Sequence, residues 1–183
     1  MTMPRIYHFI RYVLVFALFS ATAGKAAWAA PLNEYEVKAA FLFNFAKFVE
    51  WPAGPSESMT LCLIGADPYE GALKVFENRM VDGKRFTSHR IKLQSDAELM
   101  NCNILYIAHS ERERFAGLLQ AIKGAPILTV GDYSGYARQG VMINFYLDQD
   151  KVRFEINPSA AKQAGLRISA KLIKLGQIVG TQE

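Results

Sequence analysis

Residues 127–157 read ILTVGDYSGYARQGVMINFYLDQDKVRFEIN, and the reading of this stretch decides the fold. The opening ILTV is a short apolar run of the kind that lies buried on both faces of a sheet, and Gly131-Asp132 closes it. Gly135 and Gly140 bracket a polar connection. Residues 141–147 and 151–156 then alternate with period two, and Asp148-Gln149-Asp150 reads as the turn between them. So short a turn cannot make a parallel crossover, so these two strands pair antiparallel at the edge of a sheet. Alternation puts Ile143, Phe145 and Leu147 on one face and Met142, Asn144 and Tyr146 on the other.

Working upstream, residues 59–64, 89–93 and 104–108 read as strands separated by helical or turn segments. Pro68 opens a helix carrying Leu73, Phe76 and Met80, and Asp82-Gly83 is a turn. Residues 96–100 suit one helical turn. Ser110 and Glu113 form a capping box for a helix lined by Phe115, Leu118, Leu119 and Ile122, which closes at Lys123-Gly124. Near the start, Asn33 and Glu36 form another capping box. Val37, Phe41, Phe45 and Phe48 follow on one helical face until Trp51-Pro52 stops it, which describes a core helix lying on a sheet. Downstream, residues 158–164 are helical, and residues 169–179 predict a last helix with Leu172, Leu175, Ile178 and Val179 facing inward. Strands alternating with helices define an α/β fold. It is expected to be a single domain, a mostly parallel sheet flanked by helices, with a C-terminal antiparallel edge hairpin and a terminal helix.

The first 29 residues read as a cleaved signal peptide, leaving a single domain over 30–183. Arg5 and Arg11 are basic, residues 13–23 are apolar, and Ala27-Trp28-Ala29 is a small-x-small cleavage site. The apolar run falls short of the roughly 20 residues of a spanning helix. An exported, periplasmic protein is expected. Loss of Arg5, Arg11 and Lys25 with that segment takes the formal +4 to +1, so the charge balance gives no reason to expect a nucleic-acid partner. Two cysteines remain, Cys62 and Cys102. An even pair in an oxidising compartment suggests a disulfide, with two buried thiols as the alternative. No cysteine or histidine cluster has metal-ligand spacing, and no cofactor is expected.

Open parallel sheets bind ligands beyond the carboxyl ends of their strands. Asp67, His109, Ser110, Gly131 and Asp132 fall at such ends and form a candidate ligand pocket, although turns and helix caps call for Asp and Ser at these positions as well. No Gly-x-Ser-x-Gly elbow, phosphate loop or dinucleotide fingerprint occurs, so no catalytic residue is assigned. Tyr133, Tyr136, Asn144 and Tyr146, with the basic Arg167 and Lys171, form a candidate partner surface, because tyrosine is enriched in interface cores. Lys174 extends the basic face, which serves equally as an anion site or as a solvated surface.

Several long blocks, taken together, resemble one family. These are Glu34-Tyr35-x-Val37-Lys38-Ala39-Ala40-Phe41-Leu42, continuing through Phe45 to Trp51-Pro52; Gly131-Asp132; Gly140 to Phe145; Lys151 to Asn157; and Ala164-Gly165-Leu166 leading to Ile168-Ser169. The chain is similar to YfiR-like proteins over nearly all its length after the signal peptide. The resemblance implies an exported, non-enzymatic regulator that represses a membrane diguanylate cyclase by binding its periplasmic sensor region. It also implies a second, outer-membrane-associated partner that sequesters the repressor. Cys62 and Cys102 match in placement one of the two disulfides of the best-known member. The second pair is absent, since residues 145–157 contain no cysteine. Redox switching through the hairpin is therefore not carried over. The target could instead be a histidine kinase sensor domain, and a homodimer is compatible with the sequence. The rival reading is a periplasmic small-ligand binding module, for a nucleotide or an amino acid, feeding a signalling system.

Overall fold

A computed structural model describes residues 33–54, 56–66, 68–69, 71–92 and 95–180. The expected signal peptide, its cleavage site and Asp67 lie outside the described residues. Helix α1 spans Glu34–Phe48, and its capping box forms as the sequence requires: the Asn33 side chain accepts from the Glu36 amide, and Glu36 accepts from the Asn33 amide. Among the described residues, ten strands and three further α-helices follow. They are β1 (Val49–Glu50), β2 (Ser58–Ile64), β3 (Met80–Val81), β4 (Lys84–Ile91), β5 (Ile104–Ile107), α2 (Phe115–Ala121), β6 (Leu128–Gly131), β7 (Ile143–Asp148), β8 (Lys151–Ile156), α3 (Pro158–Gln163), β9 (Arg167–Ile168), α4 (Ala170–Ile173) and β10 (Gln177–Ile178).

Eight strands make one curled sheet in the order β10-β8-β7-β6-β5-β2-β4-β3. β4, β2, β5, β6 and β7 run parallel, and β7 to β8 is antiparallel. The sheet is thus the mostly parallel one expected from the alternating pattern. Asp148 faces Lys151, so the connection is a two-residue turn on Gln149 and Asp150, at φ of 48° and 59°. Two positive φ values suit the twist of a hairpin.

The strands present two buried faces. Leu61, Leu63, Ile104, Tyr106, Leu128, Val130, Ile143 and Phe145 pack against α1. Cys62, Ile64, Leu105 and Ile107 turn to the opposite face and pack with Phe115 and Leu118 of α2. The aromatic stripe of α1 is core: Phe45 lies 5.6 Å from Phe145 and 5.2 Å from Phe154, and Phe43 lies 5.2 Å from Phe86, between ring centroids. Fully buried Asn157 caps α3 through the Ala160 amide (3.0 Å) and donates to the Ala137 carbonyl (2.8 Å).

The structure departs from the sequence reading at four places. The last helix shrinks to α4, and residues 177–178 become β10, paired parallel to β8. The hairpin therefore does not end the sheet, and Leu175 and Ile178 are exposed (69% and 62%) rather than inward. Gly176 explains the switch, because a Cβ there would meet the Ile156 and Phe154 side chains at 2.7 Å. The segment after Pro68 is a short 3-10 turn, Ala72–Phe76, and Met80 belongs to β3, which pairs antiparallel with β4 across Asp82-Gly83. Ser110 does not cap a helix: α2 begins at Phe115, and the Ser110 hydroxyl accepts from the Ala66 amide at 2.9 Å. Finally, β1 and β9 form a separate antiparallel pair that the sequence does not announce.

Cys62 and Cys102 are bonded, with Cα atoms 5.8 Å apart and a sequence separation of 40. The bridge joins central strand β2 to the approach to β5. Closing a loop of that length stabilises by about 4 kcal/mol on the chain-entropy model. Urea unfolding of a Cys62→Ala, Cys102→Ala variant is expected to show most of that loss together with a steeper denaturant slope, because the unfolded chain without its cross-link exposes more surface; a loss under about 1 kcal/mol would assign the bridge no stabilising role.

Candidate functional site

The candidate site begins with a lysine in the wrong company. Lys38 lies on the sheet-facing side of α1 and is 5% exposed, among Ala39, Leu42 and Phe45. A buried ammonium requires partners. Glu34, one turn earlier on the same helix, approaches its Nζ to 2.5 Å, and Asp132 lies at 3.6 Å. The rings of Tyr35 and Phe145 sit 5.3 and 5.8 Å from the same nitrogen. Asp132 stands just past the end of β6 and also accepts from the Tyr106 hydroxyl at 2.5 Å. Tyr69 packs edge-on against Tyr106 at 5.1 Å. Burial first, then the neighbouring Tyr69 and the Asp132 carboxylate, push the Tyr106 phenol far above its ordinary value. Burial, then Asp132, also raise Tyr136.

The carboxyl ends of β2, β5 and β6 do come together, yet their side chains turn to internal duties. Ser110 ties the end of β5 to the end of β2. Gly65 (φ 92°) has no room for a Cβ, which would stand 2.5 Å from the Ser110 hydroxyl. His109 stacks on Tyr133 with centroids 4.5 Å apart. Gly131 admits the ring of Tyr136, whose edge a Cβ would meet at 2.7 Å. Asp132 turns under the sheet towards Lys38. Thus the imidazole and the carboxylate of the expected pocket serve different contacts.

The six residues of the expected partner surface divide by exposure. Tyr133, Arg167 and Lys171 are exposed, and half-buried Tyr146 approaches Gln177 at 3.3 Å. Tyr136 and Asn144 are buried, so they support that face from beneath: Tyr136 stacks on Phe115 at 3.9 Å, and Asn144 donates to Glu155 at 3.3 Å. Arg167 stands in β9, 3.5 Å from Glu50. Leu147, Leu175 and Ile178 add exposed apolar surface along the β7–β8–β10 end of the sheet. Among the described residues no cluster of three or more His, Cys, Asp or Glu could hold a metal ion. Sequence reasoning missed Lys38, Tyr69 and Tyr106. The one signal for them was a lysine four residues after Glu34 inside a wide apolar arc.

These features define a disulfide-braced α/β domain in which buried Lys38 is paired with two carboxylates and Tyr106 with one of them. The chain belongs to the YfiR/HmsC-like family, whose model matches residues 35–177. That family consists of periplasmic, non-catalytic regulators of diguanylate cyclase signalling, and the Cys62–Cys102 bridge fits an exported protein. Among the described residues no helix is long and apolar enough to cross a membrane. No curated protein matches the chain. Among solved structures, a conserved domain protein from Vibrio cholerae is similar at a TM-score of 0.53 and 13% identity, over 82% of this chain and 61% of that one. The ABC domain in complex with L-Trp from Streptococcus pneumonia matches at a TM-score of 0.46 and 9% identity, over 66% of this chain and 55% of that one. The chain therefore spans about three-fifths or less of either structure's length.

Two outcomes are expected of the buried cluster. Asp132→Ala strips Tyr106 of its acceptor and Lys38 of one carboxylate, and should cost about 3 kcal/mol in urea unfolding. Adding Lys38→Met should recover part of that loss, since the two residues are coupled. In the second, Tyr106 holds its proton in the folded state above the pH at which the unfolded chain releases it. Its contribution is thus fully present below about pH 10 and is lost as pH rises further, at about 1.4 kcal/mol per pH unit. Tyr106→Phe should flatten that alkaline slope; an unchanged slope would show that Tyr106 is not its source.

Proposed function

We propose that the mature chain is an exported regulator that binds the periplasmic sensor region of a membrane diguanylate cyclase, or of another membrane signalling protein such as a histidine kinase, and represses it. The observation that carries this reading is the family match across residues 35–177. The geometry supports it, because Asp132 and Ser110 at the strand ends are engaged by other parts of the chain while apolar and aromatic side chains are left outward on the β7–β8–β10 end. We place the contact there, around Tyr146, Leu175 and Ile178, with Tyr133, Arg167 and Lys171 as flanking candidates. Strand β10 is an edge, and an edge with unpaired backbone groups next to exposed apolar side chains is a surface that other chains can pair with. Repression follows by population shift: the bound regulator favours an inactive arrangement of the sensor, and its release removes the bias. An outer-membrane-associated protein that competes for the same edge would relieve repression.

Deleting the gene should raise cellular cyclic-di-GMP, and complementation with the wild-type chain should restore the lower level. Ile178→Asp, a substitution at an exposed position, should fold normally yet fail to complement. Unchanged cyclic-di-GMP on deletion, together with affinity capture that recovers no membrane signalling protein, would overturn the reading.

A further inference from the structure

A cleft opens between α2 and α3, with a volume of about 740 Å³. It lies at the beginnings of β6 and β7, the reverse end of the sheet from Asp132 and His109. Small-molecule sites occupy roughly 300–1,000 Å³ and combine apolar walls with a few convergent polar groups. The walls here are Leu119, Ile122, Ile127, Met142, Ala160 and Ala164. Phe115 is the one aromatic lining residue described, and its ring is already stacked on Tyr136, so no platform remains for a flat aromatic ligand. The side chains that fill the space are aliphatic, which favours an aliphatic body.

The polar groups have a definite sign. Lys123 carries the one charge among the described lining residues, and the amides of Gln120, Gln139 and Gln163 surround the opening. Inside, Thr129 is 1% exposed. Its hydroxyl accepts from the Met142 amide at 3.0 Å and has no acceptor of its own among the described residues, so its proton is left to be donated into the cleft. A buried hydroxyl proton, a lysine and amide donors, with no carboxylate among the described lining residues, describe a receptor for one negative charge.

We propose that this cleft binds a small amphiphilic anion, a medium-chain carboxylate whose aliphatic body lies against Leu119, Ile122 and Met142 and whose head group meets Lys123 and the glutamine amides. The site is independent of the proposed partner edge, and its failure would leave the regulator reading standing. The test uses the mature chain and three probes: decanoate, decanol and acetate, followed by amide chemical shifts and calorimetry. Decanoate should bind saturably and shift the amides of Leu119, Thr129 and Met142, decanol should bind more weakly, and acetate should not bind. Lys123→Gln, at an exposed position, should weaken decanoate about five-fold and leave decanol unchanged. Ala116→Trp places a bulky ring at the exposed mouth and should abolish binding of both. Equal binding of decanoate and decanol, or a Lys123→Gln variant with wild-type affinity for decanoate, would overturn the charge assignment and with it the proposal. So would non-saturable adsorption, or shifts confined to residues outside the cleft.

Discussion

A parallel sheet must be covered on both faces, and here the two covers are unequal. On one side lies the fifteen-residue α1, whose phenylalanines interdigitate with β7 and β8. On the other lies α2, seven residues long, helped by short 3-10 turns. A continuous apolar strand such as β2 exposes to either side what it hides from the other, so the thinner cover determines how securely the sheet is held. The disulfide lies within that thinner layer, next to Leu99, Leu105 and Phe115. A covalent tie there replaces packing that so short a helix cannot supply.

The thick side carries the opposite problem. A helix that faces the sheet over four turns has no room for charge, yet Lys38 is the first residue of its buried face. The solution is local in origin and tertiary in completion: Glu34 comes from the same helix, whereas Asp132 and Tyr106 come from the ends of β6 and β5. Exchanging one of these partners for an apolar side chain leaves another buried and uncompensated, whereas removing several together does less harm. The cluster therefore fixes how α1 registers along the sheet. A stripe of phenylalanines alone would specify that register loosely, since apolar contacts have no direction.

Much of this architecture was written locally. The strands at 104–107 and 128–131 are apolar runs, the hairpin 143–156 alternates, and Asn33-Glu36 caps as its chemistry dictates. The failures share a cause: a local motif lost to a tertiary partner. Ser110 and Glu113 have capping spacing, but the hydroxyl is claimed by Ala66, 44 residues earlier. Leu172, Leu175 and Ile178 have helical spacing, but Gly176 lets the backbone drop against Ile156 and Phe154 and join the sheet. An isolated glycine inside a helical pattern was the available warning. At the candidate site, position at a strand end was readable for His109, Ser110 and Asp132, but the direction each side chain takes was not. Asn144 and Tyr136 show the same limit, since alternation orients a residue without saying what covers it. Lys38 and Thr129 escaped notice because a lone polar residue in an apolar stretch has no sequence grammar.

The placement of α1 sets the order in which the molecule can be finished. Phe41 and Phe45 meet Phe145 and Phe154, and Val49 pairs with Ile168, so the first helix is held by strands that lie about a hundred residues or more further on. Such contacts close last and slow folding. A chain made from its amino terminus delivers its most aromatic helix first and its partners last. For most of that interval the stripe is an adhesive surface with nothing of its own to hold, and it stays open to other chains until the hairpin arrives.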